Sequence, residues 1–175
     1  MASDPVEAGA PDAQTLDAGA PDAQTPDAGA PEPDASDAPA FTYEIQVRWG
    51  DSDRLGHVNN TRFVEYMQEA RAHFLLTELR TVGSRAGAMV VRRMEVDFLR
   101  PLTDDSGPVK VDVTVLAVGT SSYTIRHVVT DRHGVVCGMG DAVLVAFDVK
   151  KERSRPLSNA ERAGLERYLV PVGVG

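Results

Sequence analysis

The chain has 175 residues, with 18 Lys and Arg against 26 Asp and Glu, a formal charge of −8 at pH 7 and a single cysteine. That length fits one domain or one domain with a tail; the lack of a basic excess excludes a nucleic-acid partner, and one thiol excludes an internal disulfide. No apolar stretch approaches the ~20 residues of a membrane span and no signal peptide opens the chain, so a cytoplasmic location and no membrane partner are expected.

Residues 1–40 hold nine acids and no Lys or Arg, so the rest of the chain, with 17 acids and 18 bases, is nearly neutral. From Ala8 the chain repeats with a period of ten: AGAPDAQTLD, AGAPDAQTPD, AGAPEPDASD. Twelve Ala and seven Pro stand among the first forty residues, and apart from Met1 only Val6 and Leu16 are aliphatic side chains larger than Ala. Such a segment cannot bury enough apolar area to offset its chain entropy, and each Pro disfavours helix in the residue before it. Residues 1–40 are therefore expected to be a disordered acidic tail, and 41–175 the folded domain.

The composition changes at Phe41. In FTYEIQVRW, Tyr43, Ile45, Val47 and Trp49 alternate with Glu44, Gln46 and Arg48, the period-2 pattern of a half-buried strand. A polar connection follows, GDSDRLGHVNN, with two carboxylates, an imidazole and two carboxamides between Gly50 and Asn60. Beyond it, Phe63, Tyr66, Met67, Ala70, Phe74, Leu75 and Leu79 recur at spacings of three and four, one helical stripe with Glu65, Gln68, Glu69 and Arg71 off it.

Four further strands are expected. In AMVVRRMEVDFLRP, Met94, Val96 and Phe98 oppose Arg93, Glu95 and Asp97; in VKVDVTVLAV, Val109, Val111, Val113 and Val115 oppose Lys110, Asp112 and Thr114. SYTIRHVVTD follows, and a turn at Arg132-His133-Gly134 leads to VVCGMGDAVLVAFD, whose two apolar faces predict an interior position and a buried Cys137. Ser158-Asn-Ala-Glu161 reads as a capping box opening a short helix to about Leu169. One long apolar helix followed by antiparallel strands predicts an α+β domain with a curled sheet of about five strands wrapped round that helix.

The polar connection has two readings. Asp-x-Asp before a helix is a common turn with local hydrogen bonds, and Asn59 or Asn60 suits the helix N-cap. Alternatively, a helix start offers unpaired N–H groups and partial positive charge to an oxyanion, and a nearby carboxylate can attack a carbonyl or activate water. The four histidines, His57, His73, His127 and His133, show no metal-site spacing, so no metal and no cofactor are expected. No nucleophile elbow, P-loop or dinucleotide fingerprint is present.

The run VRWGDSDRLGHVNNTRFVEYMQEAR resembles the signature of hotdog-fold acyl-CoA thioesterases of the 4-hydroxybenzoyl-CoA thioesterase type. The likeness rests on Asp51 and Asp53, on Gly56 to Asn60, and on Phe63, Tyr66 and Ala70-Arg71, and continues in order to about residue 150. It implies a hotdog fold, a homodimer or dimer-based tetramer, and metal-free hydrolysis of an acyl-CoA. It places the catalytic carboxylate on Asp53 and the polarising backbone amide on Asn60, with Gly56, His57, Val58 and Asn59 against substrate. Many members have Asn-Tyr where this chain has Arg62-Phe63, a departure at the helix mouth. The alternative is a non-catalytic acyl-binding hotdog module.

Overall fold

A computed structural model describes residues 39–79 and 88–170. The expected tail therefore lies almost wholly outside the described residues. Strand β1, Phe41–Ile45, is followed by a 3-10 turn at Trp49–Asp51 and by helix α1, Asn60–Thr77. Then come β2, Met89–Phe98, β3, Val109–Val118, β4, Ser122–Thr130, and β5, Val136–Asp148. A two-residue strand β6, Arg153–Ser154, and helix α2, Asn159–Glu166, complete the described order.

The six strands pair antiparallel, in the order β1-β3-β4-β5-β2, with β6 pairing the end of β5. This is a hotdog fold: a curled half-barrel of five principal strands with α1 packed against it and a short C-terminal helix. The register slips by one residue between Val91 and Arg93 in β2, between Val115 and Ala117 in β3, and at Cys137 in β5. Such bulges bend a strand and add local twist, which helps a sheet close round a helix.

The alternating valines of β3 are buried at Val109, Val111, Val113 and Val115, as their period requires. Phe63, Tyr66, Met67, Ala70 and Phe74 bring the helical stripe onto them. Two glycines of β5 allow the close approach: a Cβ on Gly138 would lie 3.0 Å from the Phe63 ring, and one on Gly140 2.8 Å from Met67 Sδ. A side chain at either position would displace the ring or thioether seated there.

Two expectations are corrected. The first strand ends at Ile45, not Trp49; the chain then turns, and Trp49 stands 86% exposed. Asp51 caps that turn by accepting from the Arg48 N–H at 2.9 Å, so local hydrogen bonding overrides the period-2 pattern. Arg71, read as lying off the stripe, is buried, with Nη1 lacking a partner among the described residues. Its long side chain reaches inward from the margin of the stripe, which periodicity alone cannot show.

The C-terminal helix opens at its expected cap. Ser158 Oγ accepts from the Glu161 N–H, and the Glu161 carboxylate accepts from the Ser158 N–H at 2.8 Å. Glu161 is buried because Arg155 grips it through two bonds of 2.8 and 2.7 Å. The helix ends at Glu166, three residues short of expectation.

Candidate active site

The polar connection is a tied loop. The Asp53 N–H donates to His57 O at 2.8 Å, the Gly56 N–H to Asp53 O at 3.1 Å, and the Val58 N–H to Leu102 O at 2.7 Å. Gly56 turns the chain at φ +77°, a conformation that costs glycine little. The Asn59 N–H donates to Asp51 O at 2.9 Å, so the helix start is pinned to the beginning of the loop. Asn59 is the N-cap: its Oδ1 accepts from Thr61 N–H at 2.9 Å and from the Thr61 hydroxyl at 2.8 Å.

The two aspartates divide by environment. Asp51 is buried, accepts from the Tyr66 hydroxyl at 2.7 Å and lies 3.5 Å from Arg62 Nε. Burial alone pushes the Asp51 carboxyl up; the Tyr66 hydroxyl, the Arg48 amide and the Arg62 charge outweigh it and hold the group below its ordinary value. Burial and the neighbouring Asp51 push the Tyr66 phenol well up, so it remains a proton donor to the carboxylate. Asp53 is exposed; one oxygen accepts from the Leu55 N–H at 2.8 Å, and the other has no partner among the described residues.

A cavity of about 410 Å³ lies beside this loop. One side is formed by Asp53, His57, Val58, Asn59 and Asn60. The other is mainly apolar, with Phe63 from α1 and Phe98, Leu99 and Pro101 at and beyond the end of β2, and with Arg100 the one charged residue among them. Of the six residues singled out in the sequence, five meet at the cavity; Gly56 shapes the turn outside its wall. Asn60 is the first residue of α1, and its backbone N–H has no hydrogen-bond partner among the described residues. A carbonyl oxygen held there meets a bare donor at the positive end of the helix, with the Asp53 carboxylate on the same wall.

The far wall, Phe98 to Pro101, was missed from sequence as part of the site. Those residues lie at a strand end 45 to 48 positions from Asp53, and the β2–β5 pairing together with the Val58 N–H bond to Leu102 O brings them back. Tyr66 was read as core and as part of the family resemblance, but not as the partner of Asp51; the signal was its hydroxyl, because a buried tyrosine needs a partner for that group. Among the described residues no group of three or more His, Cys, Asp or Glu is placed to hold a metal ion.

A profile of the thioesterase-like superfamily matches residues 47–165, from the loop to the C-terminal helix. The chain belongs to that superfamily. A thioesterase from Thermus thermophilus, solved in complex with coenzyme A and Zn, is 35% identical to this thioesterase-like chain. That match covers 74% of this chain and 92% of the other, with a TM-score of 0.63. The structure of a predicted thioesterase from Bacillus stearothermophilus is 27% identical with a TM-score of 0.69, over 75% and 98% of the two chains. The uncharacterized protein YsmA of Bacillus subtilis (strain 168) is 27% identical over 119 residues, 68% of this chain and 79% of its own length.

Proposed function

We propose that the protein is an acyl-CoA thioesterase of the 4-hydroxybenzoyl-CoA thioesterase type, with Asp53 as base or nucleophile and the Asn60 N–H as oxyanion donor. The observation that carries this reading is the free Asp53 carboxylate oxygen and the unpartnered Asn60 N–H on one wall of one cavity. In the general-base form, Asp53 takes a proton from water as its oxygen bonds to the thioester carbon. The carbonyl becomes an oxyanion facing the helix start, where the aligned N–H groups stabilise it. When that intermediate collapses, the C–S bond breaks; the free acid forms and coenzyme A leaves as a thiolate that takes up a proton. His57, Val58 and Asn59 line the same wall and contact the substrate. The coenzyme A in the Thermus relative supports a CoA ester as the substrate.

A second copy of the chain fits the exposed edge of the sheet. The outer edge of β2 carries no partner strand among the described residues, and Val90, Val91, Phe98 and Leu99 are exposed along and just beyond it. An unpaired edge of this length, with exposed apolar side chains at its two ends and Arg92, Arg93, Glu95 and Asp97 between them, is a template for pairing, and a homodimer covers it.

Asp53→Asn keeps the shape and removes the charge. Its turnover number on the best acyl-CoA is expected to fall roughly 10²–10⁴-fold, with affinity for the uncleaved ester and the thermal midpoint retained. Asp51→Asn loses one of its buried acceptor contacts, so it is expected to lower the thermal midpoint and to cost turnover less. Equal, small losses of turnover in both variants return the loop to a turn and cap and leave the acyl-binding module as the reading.

A further inference from the structure

The apolar side of the cavity is lined by two phenylalanines. Phe63 is 2% exposed, and its ring stands edge-on to Phe98, with centroids 5.5 Å apart and planes at 87°. Phe98 lies directly across the ladder from Gly138. The Phe63 ring occupies the space a Gly138 side chain would fill, 3.0 Å from where its Cβ would stand. Phe63 is thus seated on bare backbone with no freedom to retreat. Behind it Met67, fully buried, presses on Gly140 in the same way, so the interior beyond Phe63 is packed. The one movable part of the stop is Phe98, 44% exposed at the end of the edge strand.

Asn60 and Phe63 are three residues apart on α1, so Phe63 stands about 4.5 Å further along the helix axis than the free N–H. An acyl group whose carbonyl is held at Asn60 meets the two rings after that short run. From this geometry we infer that the Phe63–Phe98 pair is the acyl-length stop of the site, selecting compact acyl groups, short, branched or aryl, over long unbranched chains. The inference rests on the thioesterase reading and adds the substrate class to it.

Two variants test it from opposite sides. Phe98→Ala removes the half-exposed ring and leaves Phe63 seated on Gly138. Size-exclusion chromatography checks that the variant keeps the wild-type oligomeric state, because the same ring lies on the edge a second copy would cover. Gly138→Ala places a methyl group against the Phe63 ring and drives that ring toward the cavity. The measurement is kcat/KM across a panel of acyl-CoA esters: acetyl, isobutyryl, benzoyl, octanoyl and palmitoyl. The wild-type chain is expected to favour the benzoyl and short esters. Phe98→Ala is expected to raise the octanoyl-to-benzoyl ratio tenfold or more. Gly138→Ala is expected to lower benzoyl turnover at least fivefold while acetyl turnover changes less. A wild-type preference for palmitoyl, or an unchanged ratio in Phe98→Ala, overturns the stop and leaves the thioesterase reading standing. A wild-type chain that cleaves no member of the panel removes both.

Discussion

At the scale of single residues, the interior carries more polar chemistry than the helical stripe shows. His127 on β4 is fully buried, and its Nδ1 lies 2.9 Å from Gly140 O, a carbonyl that can only accept, so Nδ1 carries the proton. Burial pushes the imidazole down to about 4, and the Arg71 guanidinium works in the same direction. The folded protein thus holds a neutral ring where the unfolded chain titrates near 6.5. As pH falls through 6.5 toward 4, the unfolded state takes up a proton that the folded state refuses, and stability is lost across that window. The loss is about 2 kcal/mol between pH 7 and pH 5. Urea unfolding at the two pH values measures it, and His127→Asn is expected to reduce the difference by that amount. A variant with the full wild-type pH dependence would show that other groups carry it. Arg71 and Tyr123 add to this interior: burial pushes the Arg71 guanidinium down and the Tyr123 phenol up, and each has a polar atom without a partner among the described residues. None of the three was legible as a buried polar group, because neither the helical stripe, the histidine spacing nor the strand pattern says what a polar end will meet inside.

The elements themselves were largely legible. The helical stripe, the valine alternation of β3 and the Ser158 box each state one local rule, and the packed domain obeys all three. Patterns failed where two rules competed: the alternation that ran on to Trp49 was cut short by the Asp51 cap. In the site, the near wall was legible because the loop and the helix start are contiguous in sequence. The far wall was not, since strand pairing and not proximity along the chain delivers it. The Ser158 cap supplies the element-scale test. Ser158→Ala removes the acceptor for the Glu161 N–H and leaves the Arg155–Glu161 pair in place, so it is expected to cost about 1 kcal/mol. A shift of the urea midpoint with unchanged slope checks it. Because α2 lies outside the cavity wall, acyl-CoA turnover is expected to hold below the new melting range.

At the scale of the whole molecule, the acidic repeat and the neutral domain separate by composition. A chain cut to residues 41–175 is expected to keep the melting midpoint and the acyl-CoA turnover of the full chain, and to elute at dimer size or above. Size-exclusion chromatography with light scattering, run beside the activity assay, reads both quantities. A monomer with full activity at nanomolar concentration removes the second copy from the site, and lost activity on truncation gives residues 1–40 a part in it. The edge that the second copy would cover also contains the bulge at Arg92, and that single extra residue decides what the cavity is made of. Counted along β2, Met89, paired with Ala146, is odd-numbered, while Met94 and Val96, which share its inward face, and Phe98, whose ring meets Phe63, are even-numbered. The change of parity happens at Arg92. In an unbroken ladder starting from the same Met89–Ala146 pair, Arg93 would stand opposite Ala142, Glu95 opposite Gly140 and Asp97 opposite Gly138. Three charges would then point at the helix, with a carboxylate against the Phe63 ring in place of Phe98. The same ten letters, read one step out of phase, describe a strand that could neither pack nor bind an acyl group.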